Sequence, residues 1–344
     1  MTMKIDNNRI VWVDLVKTLA IIMVILLHSI SPLFYKYSSI PFSKSFILSN
    51  LIDSFCRVAV PLFIIISGFL AIKDNVPIEK LWSKTKRLLI PLIFWSILYK
   101  YWILYNNNEI FNIFPVLESI FREPAMYHLV FVYYMLGVYL LLPILSLIVN
   151  EMLKNTKFVC YFLILWFAIN YYYVLSIINW MVINNFLNYS GYAVLGSYLI
   201  RKNIGLKLPR YYWLILSLLG SSVTFVITWI LNINSGNADE TAYWYLSPNV
   251  VIAAVGMFLA LQNINIPAQY NKLLKCISEN CFLIFFVHVW ILDRLQYLTS
   301  NFFSNDIMIY PVVDGLILSI ATFIISLLVS MLIRLIPHSK KLVG

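Results

Sequence analysis

Titratable side chains interrupt a long apolar run near the start of the chain. The stretch VDLVKTLAIIMVILLHSISPLF, residues 13–34, contains Asp14, Lys17 and His28. Charged groups at the centre of a membrane span cost about 2.5 kcal/mol or more each, so an ionisable residue there is a functional candidate by default. Histidine titrates near neutral pH, which makes His28 suitable as a general base.

Other apolar runs of the chain contain further ionisable residues, which are Asp53, Arg57, Lys100, His288, Asp293, Arg294 and Asp314. Each has a structural alternative to a functional role. Asp53 and Arg57 have the spacing of an i,i+4 ion pair, and Asp14 and Lys17 that of an i,i+3 pair. Lys100 is placed to pack or to extend towards the headgroups, and an isolated membrane histidine can simply bond to a neighbouring helix.

The composition indicates which elements hold these residues. Of the 344 residues, 61% are hydrophobic and only 12% are charged, about half the charged share of a soluble domain. We therefore expect an all-α, polytopic membrane helix bundle in which residues 1–344 form one integral-membrane domain. A span needs about 20 apolar residues, and the sequence contains ten such segments: 11–34, 51–72, 88–105, 129–149, 158–178, 180–200, 211–231, 246–263, 281–299 and 311–336. The four scattered cysteines suggest packing rather than disulfides or a zinc site.

The distribution of cations predicts the orientation of these spans. With the N-terminus in the cytoplasm, the inside segments hold 18 of the 25 Lys and Arg residues, the outside segments hold three and the spans hold four. Such asymmetry places both termini in the cytoplasm of a multi-pass protein of the cell membrane. It also explains the net charge of +10 without a nucleic-acid partner.

Depth along the helices follows from the rise of about 1.5 Å per residue. Lys17 lies about 10 Å from the cytoplasmic end of the first span, and His28 lies about 16 Å further out. Their spacing is close to three helical turns, so both fall on one helix face. We expect Arg57 at a depth similar to that of His28, and His288 in the inner half near Lys17. The arrangement predicts a polar path through the bundle.

Several motifs resemble the membrane-bound acyltransferase 3 family over essentially the whole chain. They are Asp14-Leu-Val-Lys17-Thr-Leu-Ala with Leu-Leu-His28-Ser29, Arg57-Val-Ala-Val-Pro61-Leu-Phe-Ile-Ile-Ile-Ser67-Gly68-Phe69-Leu, Lys84-Thr-Lys-Arg87-Leu-Leu-Ile-Pro91, Tyr127-His128-Leu-Val-Phe, Leu195-Gly196-Ser-Tyr-Leu and Phe286-Val-His288. Ten spans also resemble this family. Three positions depart from its pattern. Lys17 and Lys84 stand where the family usually has Arg, and Val130 stands where it often has Trp. Lysine keeps the charge but loses the bidentate fork of arginine, which bears on how the acyl donor is bound.

The resemblance implies an O-acyltransferase, in the first instance an O-acetyltransferase, that uses acyl-CoA from the cytoplasm. The co-substrate would be acetyl-CoA or another acyl-CoA, with no bound cofactor and no metal. Lys84 and Arg87 open the third span, where the helix N-terminus adds to their attraction for the phosphates of CoA. An ordinary positive-inside loop is the alternative. Lys17 would polarise the thioester carbonyl or hold an oxygen of CoA, and Asp14 of the same motif joins the substrate-binding set.

The acceptor implied by the resemblance is a hydroxyl of a surface or lipid-linked glycan. His28 would act on it either as a general base or by carrying the acyl group as an acyl-imidazole. Arg57 would orient His28 or the acceptor, His128 would contact the sugar, and His288 would be a second functional imidazole. Ser67 could be a nucleophile, or with Gly68 a small pair that lets helices approach.

Two other functional classes remain open on the sequence. The first is a glycan or lipid transporter, which would use the polar path without covalent chemistry. The second is an inert partner in a glycan-synthesis complex, which the Lys17 replacement makes conceivable. We expect the chain to end shortly after the last span, at Gly344. The acceptor would then be modified at the membrane, or a separate glycan-synthesis partner would complete the transfer.

Overall fold

The computed structural model describes residues 9–174, 183–302 and 311–337, together with Ser339 and Leu342. These residues form α-helices joined by short 3-10 helices and turns, and no strand occurs among them. The all-α prediction is confirmed for the described parts. The α-helices are α1 Val11–Lys36, α2 Lys44–Cys56, α3 Ala59–Ala71, α4 Leu81–Asn106, α5 Ile113–Arg122, α6 Val130–Leu140, α7 Leu142–Lys154, α8 Thr156–Val174, α9 Ile183–Arg201, α10 Arg210–Ser235, α11 Pro248–Leu261, α12 Asn271–Phe302 and α13 Pro311–Leu335.

Seven helical segments of the described chain are long and apolar enough to cross a membrane. They are Val11–Lys36, Lys44–Ala71, Leu81–Asn106, Arg210–Ser235, Thr241–Leu261, Ala268–Thr299 and Pro311–Leu335. The helices Tyr127–Leu140 and Leu142–Lys154 form an eighth only if their 68° bend lies within one span. The predicted fifth and sixth spans fall on α8 and α9 and on the residues between them. Those residues, 175–182, lie outside the described part of the chain. The chain is thus a multi-pass membrane protein, and the count of ten stays a prediction.

Two of the predicted spans are broken helices, and a proline follows each break, Pro61 in α3 and Pro143 in α7. Arg57 and Val58 separate α2 from α3, and Leu141 separates α6 from α7. Proline has no N–H to donate to the carbonyl four residues earlier. Pro61 therefore leaves the Arg57 carbonyl without its helical donor. The first break places Arg57 at a turn inside the bundle, where its side chain can leave the helix surface.

Glycines allow the inner helices to approach each other closely. A Cβ on Gly68 of α3 would overlap the backbone of Ala193 in α9, and a Cβ on Gly196 of α9 would overlap the carbonyl of Ile65. Small residues at such crossings are the usual means of packing helices in a bilayer. The Ser67–Gly68 pair therefore contributes to helix packing. This is the second of the two roles that the sequence suggested for it.

Polar contacts group the connecting segments into two ends of the bundle. At one end, called the Lys84 end, Arg9 donates to the Asn271 carbonyl (3.1 Å) and Arg201 pairs with Asp74. Arg210 donates to the Asn263 carbonyl there (2.6 Å). All of these residues come from segments that the sequence assigns to the cytoplasmic side.

The opposite end, called the His28 end, holds the segments assigned to the outside. Trp229 donates to the Pro41 carbonyl (2.9 Å), and Tyr35 bonds to Glu240. These contacts group the segments of each end as the predicted alternation does, and the alternation over ten spans stays a prediction. The membrane face on which each end lies stays a prediction.

Helices α1 and α12 run in parallel and bring their polar residues together. Ser278 donates to Asp14 (2.6 Å), the Cys281 thiol lies 3.3 Å from the Lys17 carbonyl, and His288 stacks on His28. The prediction that His288 lies near the depth of Lys17 is wrong. Helix α12 begins at Asn271, ten residues before the predicted span, so His288 lies further along the membrane normal.

Candidate functional site

Three imidazoles from three separate elements meet near the His28 end. His28 comes from α1, His288 from α12, and His128 from the 3-10 helix Tyr127–Leu129 that precedes α6. The His28 and His288 rings stack with centroids 5.4 Å apart, and the His128 ring meets His288 edge-on at 5.3 Å. We call these three residues the histidine cluster.

His288 is fully buried and has a defined hydrogen-bonding role. Its Nδ1 lies 2.6 Å from the carbonyl oxygen of Phe285, one turn earlier in α12. A carbonyl only accepts, so Nδ1 carries the proton and donates, which leaves Nε2 as an acceptor. Nε2 is buried and has no hydrogen-bond partner among the described residues.

His128 is also buried, and both of its ring nitrogens lack a hydrogen-bond partner within the described part of the chain. Its ring packs against Tyr99 (5.2 Å) and Phe285 (5.5 Å). A buried polar atom without a partner costs about 1–3 kcal/mol, and such atoms in a native structure call for an explanation such as water or a ligand. The cluster therefore has the character of a binding or reaction site.

His28 differs from the other two imidazoles because its side chain is only half-buried. Its ring contacts Tyr127 edge-on, with the centroids 5.0 Å apart. The guanidinium of Arg57 lies within electrostatic reach of the His28 ring. His28 is thus the least buried imidazole of the cluster.

Arg57 is held at the break between α2 and α3 by a buried polar group. Asp53, fully buried, lies 3.8 Å from its guanidinium and accepts hydrogen bonds of 3.0 and 3.2 Å from Ser31. The guanidinium also stands 4.1 Å from the centre of the Tyr243 ring, a cation–π contact. The i,i+4 pair predicted from the sequence is present, and it holds a cation close to the histidine cluster.

A cavity of about 220 Å³ opens beside Arg57. It is lined by Arg57, Tyr134, Tyr189, Glu240, Tyr243, Trp244, Tyr245 and Leu246. Tyr134 and Tyr189 stack face to face at 4.0 Å on one wall. This Arg57 cavity offers aromatic faces together with one cation and one carboxylate.

Lys17 and Asp14 lie towards the Lys84 end, away from the histidine cluster. Eleven residues of α1 separate Lys17 from His28, which corresponds to about 16 Å. Asp14 accepts from Arg9 (2.6 Å) and Ser278 (2.6 Å), so the alternative pairing of Asp14 with Lys17 does not occur. The half-buried Lys17 ammonium forms no ion pair with any residue that the structure describes.

Lys84 and Arg87 open α4 at the same end. The Lys84 ammonium is 3.4 Å from the Ala71 carbonyl at the end of α3, so it also supports the C-terminus of that helix. Arg87 is exposed and lies within electrostatic reach of Tyr139 in α6. The two predicted phosphate-binding cations therefore share one end of the bundle with Lys17.

Sequence reasoning missed the aromatic and hydroxyl partners of the site. Tyr127, Tyr243 and Ser31 contact His28, Arg57 and Asp53 respectively. Ser31 follows His28 by three residues and so lies on nearly the same helix face. This spacing could have identified Ser31 from the sequence. Tyr243 comes from a distant segment, and no spacing rule links it to Arg57.

The described His, Cys, Asp and Glu side chains include no group of three or more placed to hold a metal ion. The three imidazoles pack ring against ring and are not arranged as ligands of one ion.

Comparison with known proteins adds one finding to this geometry. A family model described as an acyltransferase domain, of the acyltransferase 3 type, matches residues 10–335. No curated protein and no solved structure gives a significant match. The matched region contains the histidine cluster, Arg57, Lys17 and the opening of α4. The chain therefore belongs to the acyltransferase 3 family and is a membrane acyltransferase.

Proposed function

We propose that the protein transfers an acyl group, in the first instance acetyl, from cytoplasmic acyl-CoA to a hydroxyl of a surface or lipid-linked glycan at the cell membrane. The observation that carries the proposal is the half-buried imidazole of His28, which lies beside Arg57 in an otherwise buried cluster. It lies about 16 Å along α1 from the unpaired cation Lys17. This spacing separates a donor end from an acceptor end.

The donor would bind at the Lys84 end. Its phosphates are polyanionic, and the exposed Arg87 together with Lys84 provides cations at the N-terminus of α4, where the helix dipole also favours anions. The pantetheine arm of CoA is a long flexible chain. The nucleotide can therefore stay at this end while the thioester passes Lys17 and approaches His28.

At the histidine cluster, a ring nitrogen of His28 would take the proton of the acceptor hydroxyl as its oxygen attacks the thioester carbon. The new C–O ester bond forms, the C–S bond breaks, and the CoA thiolate receives the proton from the imidazolium. In the alternative route the imidazole attacks first and carries the acyl group to the hydroxyl in a second step. Arg57 would orient His28 or the acceptor in either route.

The acceptor would approach from the His28 end through the Arg57 cavity. The tyrosines of that cavity provide faces for sugar rings, and Arg57 and Glu240 provide polar groups. His128 and His288 would complete the site, because their unpartnered ring nitrogens can accept from the acceptor hydroxyls or from bound water.

The family match supports covalent acyl transfer and does not support the transporter alternative. An inert assembly partner would keep the fold but lack transfer activity. The following experiment separates this reading from the enzyme.

The test uses the purified protein in lipid nanodiscs, radiolabelled acetyl-CoA and a candidate glycan acceptor. We expect His28→Ala to reduce label transfer by about 100-fold or more, because general-base catalysis contributes about 10²–10⁴-fold. Ser29→Ala is the matched control, since the Ser29 hydroxyl bonds to the Ile25 carbonyl of its own helix (2.9 Å). Unchanged transfer in His28→Ala would contradict the role of His28. Absence of transfer by the wild type from every acyl-CoA would favour the inert partner.

A second prediction concerns Lys17 and the donor. Lys17→Arg restores the fork of two N–H donors, so we expect a lower KM for acetyl-CoA and an unchanged KM for the glycan. Lys17→Ala should raise the KM for acetyl-CoA by about tenfold, the loss expected for one charge-assisted hydrogen bond. Steady-state kinetics with each substrate varied in turn provides the measurement. A change confined to the KM for the glycan would place Lys17 outside the donor path.

A further inference from the structure

We propose that a second cavity beside the histidine cluster is a subsite for an uncharged sugar unit of the acceptor glycan, other than the unit that is acylated. The inference rests on the proposed function. This cavity has a volume of about 220 Å³ and is lined by Tyr99, Trp102, Ile103, Asn106, Asn107, Met126, Val289, Trp290 and Asp293. Its size suits a single sugar ring rather than a larger ligand, since drug-sized ligands occupy about 300–1,000 Å³. We call it the Trp102 cavity.

Two tryptophans give the cavity its apolar walls. The rings of Trp102 in α4 and Trp290 in α12 meet edge to face, with centroids 5.9 Å apart. The Arg294 guanidinium lies 3.8 Å from the centre of the Trp102 ring and so holds that ring in place by a cation–π contact. Fixed aromatic faces at right angles can pack against the C–H faces of a pyranose ring.

The polar groups of the cavity suit hydroxyls rather than anions. Asp293 is exposed and forms no ion pair with a residue that the structure describes. Its carboxylate can accept hydrogen bonds from two adjacent sugar hydroxyls, and the side chain of Asn106 can donate one and accept another. Asp293 is the charged side chain among the lining residues, whereas Arg294, which contacts the Trp102 ring, is not one of them. The Asp293 carboxylate would therefore repel the carboxylate of a uronic or sialic acid. The Arg57 cavity differs, because it contains a buried cation.

The cavity shares its inner wall with the histidine cluster. Tyr99 lines it and packs against the His128 ring at 5.2 Å, while the Tyr99 hydroxyl donates to the Phe286 carbonyl (2.6 Å). Val289 follows His288 directly, and Met126 precedes Tyr127, whose ring contacts His28. A sugar in the cavity therefore lies one wall away from the reactive imidazole. This position fits a unit of the same glycan that lies further along the chain than the acylated one.

Direct binding of oligosaccharides to the protein in nanodiscs tests the proposal. The probes are two neutral tetrasaccharides, tetra-N-acetylchitotetraose and maltotetraose, and the acidic tetragalacturonate, measured by isothermal titration calorimetry. We expect at least one neutral probe to bind about tenfold more tightly than the acidic one. Trp102→Ala and Asp293→Asn should each weaken this binding by about tenfold, the effect of losing one contact of about 1.4 kcal/mol.

Matched controls and donor measurements separate this inference from the proposed function. Phe114→Ala removes an aromatic ring that is 79% exposed on α5, and Asp314→Asn neutralises an aspartate in the first turn of α13. Both should bind the neutral probe like the wild type. Equal binding of the acidic probe, failure of both neutral probes, or insensitivity to both cavity variants would overturn the subsite. Intact glycan binding without acetyl transfer would instead contradict the proposed function alone.

Discussion

The three imidazoles of the cluster differ in burial, and the proposed function relies on this difference. His128 is 4% exposed and His288 is fully buried, whereas His28 is half-buried and has Arg57 nearby. A nucleophile or base must reach its substrate within hydrogen-bonding distance. His28 is the least buried of the three rings, which is why the proposal gives it that role.

The pair of Asp53 and Arg57 shows how a charge is kept inside the bundle. An unpaired ion in a low-dielectric interior is costly, and a partner offsets much of that cost. Asp53 in turn receives two hydrogen-bond contacts from the Ser31 hydroxyl of α1. The pair therefore links the broken second span to the helix that bears His28.

This link leads to a prediction about single and double substitutions. Asp53→Asn should destabilise the protein by about 3–5 kcal/mol, because it leaves the buried Arg57 cation without its carboxylate. The double variant with Arg57→Gln should recover much of the stability, since no buried charge remains, but not the activity. Thermal unfolding in nanodiscs and acetyl transfer provide the two measurements.

An exposed ion pair of the same spacing offers the control for this experiment. Glu118 and Arg122 of α5 pair at i,i+4 with both side chains more than 60% exposed. Glu118→Gln should cost less than about 0.5 kcal/mol. Equal losses at the exposed and buried pairs would show that Asp53 does not stabilise a buried charge.

At the scale of the helices, glycine contacts decide how α3 and α9 meet. Gly68→Ala should lower the free energy of unfolding by about 1–3 kcal/mol, the usual cost of overpacking, because the added methyl overlaps the Ala193 backbone. Gly236→Ala is the comparison variant, because its cost has a different physical origin. Gly236 has a φ of +66° but open space around it, so only the conformational cost of about 1–2 kcal/mol applies. The double variant Gly68→Ala, Gly196→Ala should lose more stability than either single variant.

A thermal midpoint for each variant, with circular dichroism to confirm helix content, measures these effects. If Gly68→Ala were as stable as the wild type, α3 and α9 would have room to separate. The close crossing described above would then be wrong.

The sequence predicts the helices of this fold better than their ends. Hydrophobic runs and charge distribution are enough to identify an all-α membrane bundle and its alternation. They do not show that α12 begins at Asn271, because Lys272, Lys275 and Glu279 make that segment too polar for a span by composition. The helix continues through this segment, which two contacts hold in place. Ser278 donates to Asp14, and Arg334 donates to the Glu279 carbonyl. This error in one helix end misplaced His288.

Within the site, residues on one helix could be placed from spacing, whereas contacts between helices could not. The i,i+4 relation of Asp53 and Arg57 follows from the helical repeat. The stacking of His28 on His288 depends on how α1 and α12 lie together, and no periodicity contains that information. The same holds for Tyr243 over Arg57.

For the molecule as a whole, the proposed function uses the two opposite ends of the bundle for donor and acceptor. The Lys84 end carries the cations suited to phosphates, and the His28 end carries the histidine cluster and both cavities. The proposed function requires that the Lys84 end face the cytoplasm, where acyl-CoA is found. The sequence supports this, with 18 cations in the segments that it assigns to the cytoplasmic side against three in those that it assigns to the outside.

Cysteine labelling at the two ends of α4 tests this orientation. Lys86 lies in the second turn of α4, Glu109 follows its last turn, and both are exposed. Lys86→Cys and Glu109→Cys would each be made in a Cys160→Ser background, because Cys160 is the exposed thiol among the four free cysteines. The reagent is a membrane-impermeant maleimide applied to intact cells and to permeabilised cells. We expect Glu109→Cys to react in both samples and Lys86→Cys to react only after permeabilisation, because α4 extends about 30 Å from Lys86 to its end at Asn106. Reaction of Lys86→Cys in intact cells, with protection of Glu109→Cys, would invert the bundle. The phosphate-binding cations would then face away from the cytoplasmic pool of acyl-CoA, and the donor path through Lys17 would have to be abandoned.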